Sequence, residues 1–161
     1  MKRTSFAGMD CSIARSLEVV GEWWTMLILR EAFNGVRRFD DFQVRLGIAR
    51  NVLAARLQRL VDNGIFERRL YQERPERYEY RLTEKGRDLY PVLMSLLHWG
   101  DKWVSDEAGP PITLTHEPCG HEPGPVMTCQ HCGALLNPRE VTVQRRADLR
   151  ETRKATVWPN R

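Results

Sequence analysis

The apolar residues change their spacing along this chain, and each change predicts an element. Asp10-Cys11-Ser12 can cap a first helix over Ser12–Val20, which Gly21 breaks. Trp23–Phe33 is apolar on nearly every face, which predicts a buried helix, and Asn34-Gly35 stops it. A short helix over Asp40–Leu46 would turn Phe39, Phe42 and Leu46 inward before Gly47 ends it. The clearest pattern runs from Arg50 to Asn63. There Leu53, Leu57, Leu60 and Val61 fall at helical spacing, while Arg50, Asn51, Ala54, Ala55 and Gln58 lie off the stripe. Asn63-Gly64 supplies the stop. The period then drops to two. Ile65–Gln72 and Arg77–Thr83 read as strands joined by the charged turn Glu73-Arg74-Pro75-Glu76, with Tyr78, Tyr80 and Leu82 alternating with Arg77, Glu79 and Arg81. Thr83 caps a last helix expected to reach about Val104, with Pro91 inside it predicting a kink. Leu89, Leu93, Leu96, Gly100 and Trp103 form a near-heptad stripe there, flanked by Val92 and Trp99. Little local core is left for that stripe, so it predicts a partner subunit, with some packing back onto the first helix.

Two helices followed by a hairpin outline a winged helix-turn-helix. The expected fold class is mainly α with a small β-hairpin wing, plus a small C-terminal zinc-ribbon-like segment. Residues 1–104 would form the DNA-binding and dimerisation domain. Residues 105–111, with Gly109-Pro110-Pro111, read as a linker. Residues 112–143 are rich in Pro, Gly, His and Cys, and residues 144–161 form a polar, charged tail whose composition predicts disorder.

Length and charge narrow the function. The 161 residues suffice for one ordinary domain and a small appendage. The longest apolar candidate, Trp23–Leu29, is interrupted by Thr25 and is too short for a membrane span. Lys2 and Arg3 are not followed by an apolar stretch, so no signal peptide is expected, and the chain reads as cytoplasmic. Net charge is +4, but Val36–Arg81 holds eleven arginines, no lysine and seven acids. Arginine's planar fork suits phosphate, which points to nucleic acid. A helix-turn-helix places the N-terminal end of its second helix against base edges in the major groove. Arg50 can donate twice to guanine, and Asn51 can bond adenine through two hydrogen bonds. The small Ala54 and Ala55 would allow close approach, and Arg56 and Gln58 could reach phosphates or bases. Arg74 and Arg77 flank the hairpin proline, where an arginine can enter a narrow minor groove. Arg37 and Arg38 would meet backbone phosphates, which positions the protein without reading sequence.

At this point the chain resembles the HxlR family of bacterial winged-helix regulators. The likeness runs from Cys11 to about Trp103. It includes Gly21 and Trp24, Ile28-Leu29, Arg38-Phe39, Ile48, Leu53, Arg56-Leu57, Leu60 and Gly64-Ile65. Further on it includes Arg69, Tyr71, Pro75, Tyr80, Leu82-Thr83, Gly86, Pro91 and Trp99. The resemblance implies a homodimer joined through the first and last helices, binding double-stranded DNA to regulate nearby genes. One position departs. Such proteins commonly carry Ser after the equivalent of Ile48, where this chain has Ala49, a poor N-cap. The recognition helix is then expected to start elsewhere or to lean on Arg50.

The cysteines add two further expectations. Thr115-His116-Glu117-Pro118-Cys119-Gly120 and Thr128-Cys129-Gln130-His131-Cys132-Gly133 each run ligand, two spacers, Cys, Gly. That is the shape of a zinc knuckle, and two of them predict one structural zinc held by His116, Cys119, Cys129 and Cys132, with His121 and His131 as rival fourth ligands. Cys11 opens the first helix, where free N–H groups favour an anionic sulfur, and is the candidate for sensing oxidants or electrophiles. The competing readings are a winged helix used for protein contact and, further off, a redox protein using the Cys129 and Cys132 pair. No thioredoxin-like pattern surrounds that pair, and no paired carboxylates, phosphate loop or nucleophile elbow is present, so an enzyme is not expected.

Overall fold

The computed structural model describes residues 5–6 and 8–143; Lys2, Arg3 and the tail from residue 144 onward lie outside the described residues. The chain divides into two compact units, Met1–Gly109 and Pro110–Arg161.

The first unit runs α1 (Ser12–Val20), α2 (Trp23–Phe33), α3 (Phe39–Leu46), α4 (Arg50–Asp62), β1 (Phe66–Glu73), β2 (Glu76–Leu82), α5 (Glu84–Arg87) and α6 (Tyr90–Trp103). Its core follows the helical stripes. Ile28 and Leu29 of α2, Phe42 of α3, and Leu53, Leu57 and Leu60 of α4 are buried together with Val36, Ile48, Ile65 and Phe66. Glu31 is buried with them, and its carboxylate is held by Arg30 at 2.7 Å and Arg45 at 3.5 Å, which offsets its desolvation. Gly47 turns the chain between α3 and α4 with φ +61°, a left-handed conformation that other residues rarely adopt.

The strands pair antiparallel, from Phe66 opposite Leu82 to Glu73 opposite Glu76. The register slips between Leu70 and Gln72, so Tyr71 is the extra residue of a bulge. A single bridge between Arg38 and Glu79, with the Tyr80 N–H donating to the Arg37 carbonyl at 2.7 Å, ties the segment before α3 to the wing.

Three expectations change. Asp10 does not cap α1; it pairs with Arg15 at 2.6 Å, and the N-cap residue Cys11 makes no side-chain cap bond. Trp23 is 92% exposed, because it occupies the first turn of α2 on the face away from Ile28 and Leu29. The last helix is two helices. Thr83 caps only the four-residue α5, accepting from the Gly86 N–H at 3.1 Å, and the chain turns at Asp88-Leu89. Pro91 therefore stands in the first turn of α6, where its missing N–H costs nothing, and does not kink a helix interior. Gly86 packs α5 tightly against the start of the wing: a Cβ there would meet the Ile65 carbonyl oxygen at 2.3 Å.

The second unit is described as far as Val143. It contains two tight turns, closed by bridges between His116 and His121 and between Thr128 and Leu135, and a 3-10 turn over Pro138–Glu140. Among its described residues none is buried, and only Leu114 and Cys129 are half-buried.

Candidate nucleic-acid interface

Helix α4 has two faces set by its sequence. Leu53, Leu57 and Leu60 turn inward, so Arg50, Asn51, Ala54 and Ala55 are exposed along the other side. The helix begins at Arg50 with Ala49 as an N-cap that makes no side-chain bond, and it is secured by the Leu53 N–H donating to the Ala49 carbonyl at 3.0 Å. Arg50 is held at that start: its guanidinium lies over the Phe39 ring at 4.9 Å, and 3.7 Å from Asp40.

Beside the start of α4 the wing forms a cleft of about 320 Å³. Arg38, Arg50, Arg68 and Arg77 line it together with Tyr71, Tyr78 and Tyr80. Three of these arginines are stacked. Arg38 lies over the Tyr71 ring at 4.6 Å, Arg68 over Tyr78 at 4.1 Å, and Arg50 over Phe39. Stacking fixes the plane of a guanidinium through the ring quadrupole and leaves its N–H edges free to donate. Two acids temper the charge. Asp40 faces Arg50, and Glu76 accepts from the Tyr78 hydroxyl at 2.9 Å, a bond that raises the Tyr78 pKa above its usual value.

The other sequence candidates sit elsewhere. Arg56 is part-buried and paired with Glu22 at 2.8 Å, and Arg59 reaches Glu22 at 3.9 Å and the Glu18 carbonyl, so this edge of α4 is tied to α1 and to the residue that caps α2. Gln58 donates to Asp62 one turn along its own helix at 2.7 Å. Arg37 is exposed but lines a different hollow, with Arg81 and Arg87. Arg74 is exposed at the wing tip, before a cis peptide bond to Pro75. The sequence pattern does not mark Arg68 and Tyr71 as site residues. Arg68 and Tyr78 are diagonal neighbours across the strands, a relation that follows once register is known. Tyr71 depends on the bulge, which alternation alone does not reveal.

In the second unit, His116 Nδ1 lies 3.1 Å from the Cys119 sulfur, and the Nδ1 of His121 lies 2.7 Å from the Cys119 carbonyl oxygen. The Cys129 thiol is held below its usual pKa by the Cys132 backbone N–H first, then by that of His131 and by the Cys132 side chain. Among the described residues no three His, Cys, Asp or Glu side chains stand together as a ready metal site. Cys11, in the first unit, is exposed. Among the described residues no helix is long and apolar enough to cross a membrane.

Comparison with known proteins agrees with this geometry. The family model described as HxlR-like helix-turn-helix matches residues 19–108. An uncharacterized HTH-type transcriptional regulator of Mycobacterium tuberculosis is 51% identical over 131 residues, covering 81% of this chain and 83% of the relative. The crystal structure of PA1607, a candidate transcription factor, superposes with TM-score 0.79 at 37% identity, covering 88% of this chain and 99% of its own. Both spans exceed the first unit, so the likeness continues into the second. The redox regulator HypR in its reduced form matches with TM-score 0.53 at 30% identity, over 57% of this chain and 92% of its own. With helices followed by an antiparallel hairpin, and a family match over more than half its length, the chain belongs to the HxlR-like helix-turn-helix family of transcriptional regulators.

Proposed function

We propose that the chain is a sequence-specific, homodimeric regulator that grips double-stranded DNA with α4 in the major groove and the wing beside it. The observation that carries this reading is the cleft of stacked arginines next to the exposed Arg50–Ala55 face. Arg50 and Asn51 are assigned to base edges, Ala54 and Ala55 to close approach, and Arg38, Arg68 and Arg77 to phosphates. Arg37 and Arg74 remain accessible to DNA from beside the cleft and from the wing tip. Arg56, paired with Glu22, is assigned to holding α4 in place, while Gln58 is exposed on α4 beside Asp62 and stays accessible to DNA.

A second copy accounts for the apolar surface of the long helices. Ile13 and Leu17 on α1, and Leu96, Trp99 and Trp103 on α6, are 43–72% exposed. A large exposed apolar surface of this kind marks an interface. Two-fold symmetry then requires an inverted repeat with half-site centres about 10–11 base pairs apart, or a multiple of this. Selection from a random duplex pool checks it. Inverted repeats support the reading; enrichment of no sequence, or of single half-sites only, defeats it. Arg50→Ala should cost ~1–3 kcal/mol of operator affinity and relax one base position.

HypR is named a redox regulator, and this favours a regulatory role for the exposed Cys11 at the start of α1. Oxidation of its thiol by a peroxide to a sulfenic acid, with the peroxide reduced, and condensation of that acid with a small thiol to a mixed disulfide and water, would alter a helix assigned to the dimer. Operator binding before and after mild peroxide, in wild type and in Cys11→Ser, tests this: equal loss in both removes Cys11 from the account. The Cys/His segment takes no part in the DNA grip. It is read as a zinc-ribbon-like appendage with a structural role.

A further inference from the structure

We propose that His116, Cys119, Cys129 and Cys132 close on one zinc ion, with His116 coordinating through Nδ1 and His121 and His131 outside the ligand set. This rests on reading the C-terminal segment as zinc-ribbon-like, and adds which atoms bind and how the site forms.

The C-terminal segment repeats itself. The sequence ligand-x-x-Cys-Gly occurs twice, and the backbone makes the same turn both times. The Cys119 and Gly120 N–H groups donate to the His116 carbonyl at 3.0 and 2.8 Å, and the Gly133 N–H donates to the Cys129 carbonyl at 2.8 Å. The glycine after each second ligand is left-handed, Gly120 at φ +72° and Gly133 at φ +73°. A side chain with Cβ is strained there, and the turn is what brings two ligands to one side of the chain. Each turn is closed behind by its own bridge, His116 with His121 and Thr128 with Leu135.

The ligand atoms follow from the contacts. His116 Nδ1 is the ring nitrogen turned to the Cys119 sulfur, 3.1 Å away, so it is the atom assigned to the ion. His121 Nδ1 faces the Cys119 carbonyl, which only accepts, so that nitrogen carries the proton and Nε2 stays available; His121 is placed outside the ligand set by the repeat alone, in which His116 stands where Cys129 stands. In the second turn the Cys129 N–H donates to the Ala134 carbonyl at 2.8 Å, as the His116 N–H donates to the His121 carbonyl at 2.8 Å in the first, so each first ligand is pinned by the same backbone bond.

None of the described residues from Pro110 to Val143 is buried, and Val126, Met127 and Leu135 are 67–72% exposed. Apolar burial cannot hold so small a unit, and a structural metal is a usual substitute. The two half-sites do not yet form one group of three ligands. The residues between them, 120–128, span up to ~30 Å when extended, so the chain permits closure onto a shared ion. Binding would release the thiol protons to solvent, and four protein ligands would leave no open position for catalysis.

The test uses the full-length protein, prepared without chelator, and measures zinc per chain and the spectrum after cobalt substitution. The expected result is one zinc per chain and a tetrahedral, thiolate-rich cobalt spectrum. Cys119→Ser, Cys129→Ser, Cys132→Ser and His116→Ala should each lose the metal on dialysis, while His121→Ala and His131→Ala retain it. Retained duplex binding shows that each variant has folded. Zinc kept by His116→Ala and lost by His121→Ala or His131→Ala would overturn the ligand set alone. No zinc in wild type, with all three thiols freely reactive, would overturn the zinc-ribbon reading itself.

Discussion

The two units of this chain keep their order by different means. The winged-helix unit has ten buried apolar residues in one cluster, drawn from α2, α3, α4, the hairpin and the loops between them. The C-terminal unit has none among its described residues, yet makes two defined turns with left-handed glycines. In the first, apolar burial fixes the fold and frees polar residues for function. In the second, no apolar cluster does this among the described residues, which is why a bound metal is proposed there. The contrast teaches that a Cys/His pattern in a segment without a core is a statement about stability before it is one about chemistry.

The largest effect expected from this contrast is in the core. Leu57 is fully buried, so Leu57→Ala should cost ~2–5 kcal/mol of winged-helix stability. Chemical unfolding measures it, and zinc content should not change. A loss below ~1 kcal/mol would show that α4 is packed less tightly than its burial indicates. A smaller effect separates the two sets of arginines on α4. Arg56→Ala leaves the part-buried Glu22 without its 2.8 Å partner and should cost ~1–2 kcal/mol of stability, with operator affinity per folded molecule unchanged. A large loss of affinity at unchanged stability would return Arg56 to the DNA surface. The smallest effect is expected from chelation. Removing the zinc proposed for the second unit should loosen residues 112–143, read as faster proteolysis there, and move the winged-helix unfolding free energy by less than ~0.5 kcal/mol. Equal destabilisation of both units would end the separation drawn between them.

Much of the fold was legible because periodicity reports burial. The stripe Leu53, Leu57, Leu60 and the alternation Tyr78, Tyr80, Leu82 placed α4 and β2 within a residue of their observed limits. The break at Asp88-Leu89 was not legible. Helical spacing continues across it, so the apolar pattern alone hides where α5 ends and α6 begins. The exposure of Trp23 was likewise hidden, since an apolar side chain facing outward reads the same as one facing in. At the candidate interface, the outward face of α4 followed from what its apolar residues exclude. That Arg56 turns to Glu22 while Arg50 stacks on Phe39 needed the tertiary arrangement. So did the bulge that gives Tyr71 its place under Arg38.

Central to the proposed function is that the cleft arginines Arg38, Arg68 and Arg77 grip the phosphates of duplex DNA. The most direct test is the salt dependence of duplex affinity for wild type and Arg38→Ala. The account predicts a steep linear fall of log affinity with log salt concentration in wild type, and a slope shallower by about 1 in the variant, with affinity lowered to a similar extent on all sequences. A wild-type affinity that does not respond to salt, or an Arg38→Ala slope equal to wild type, would contradict it.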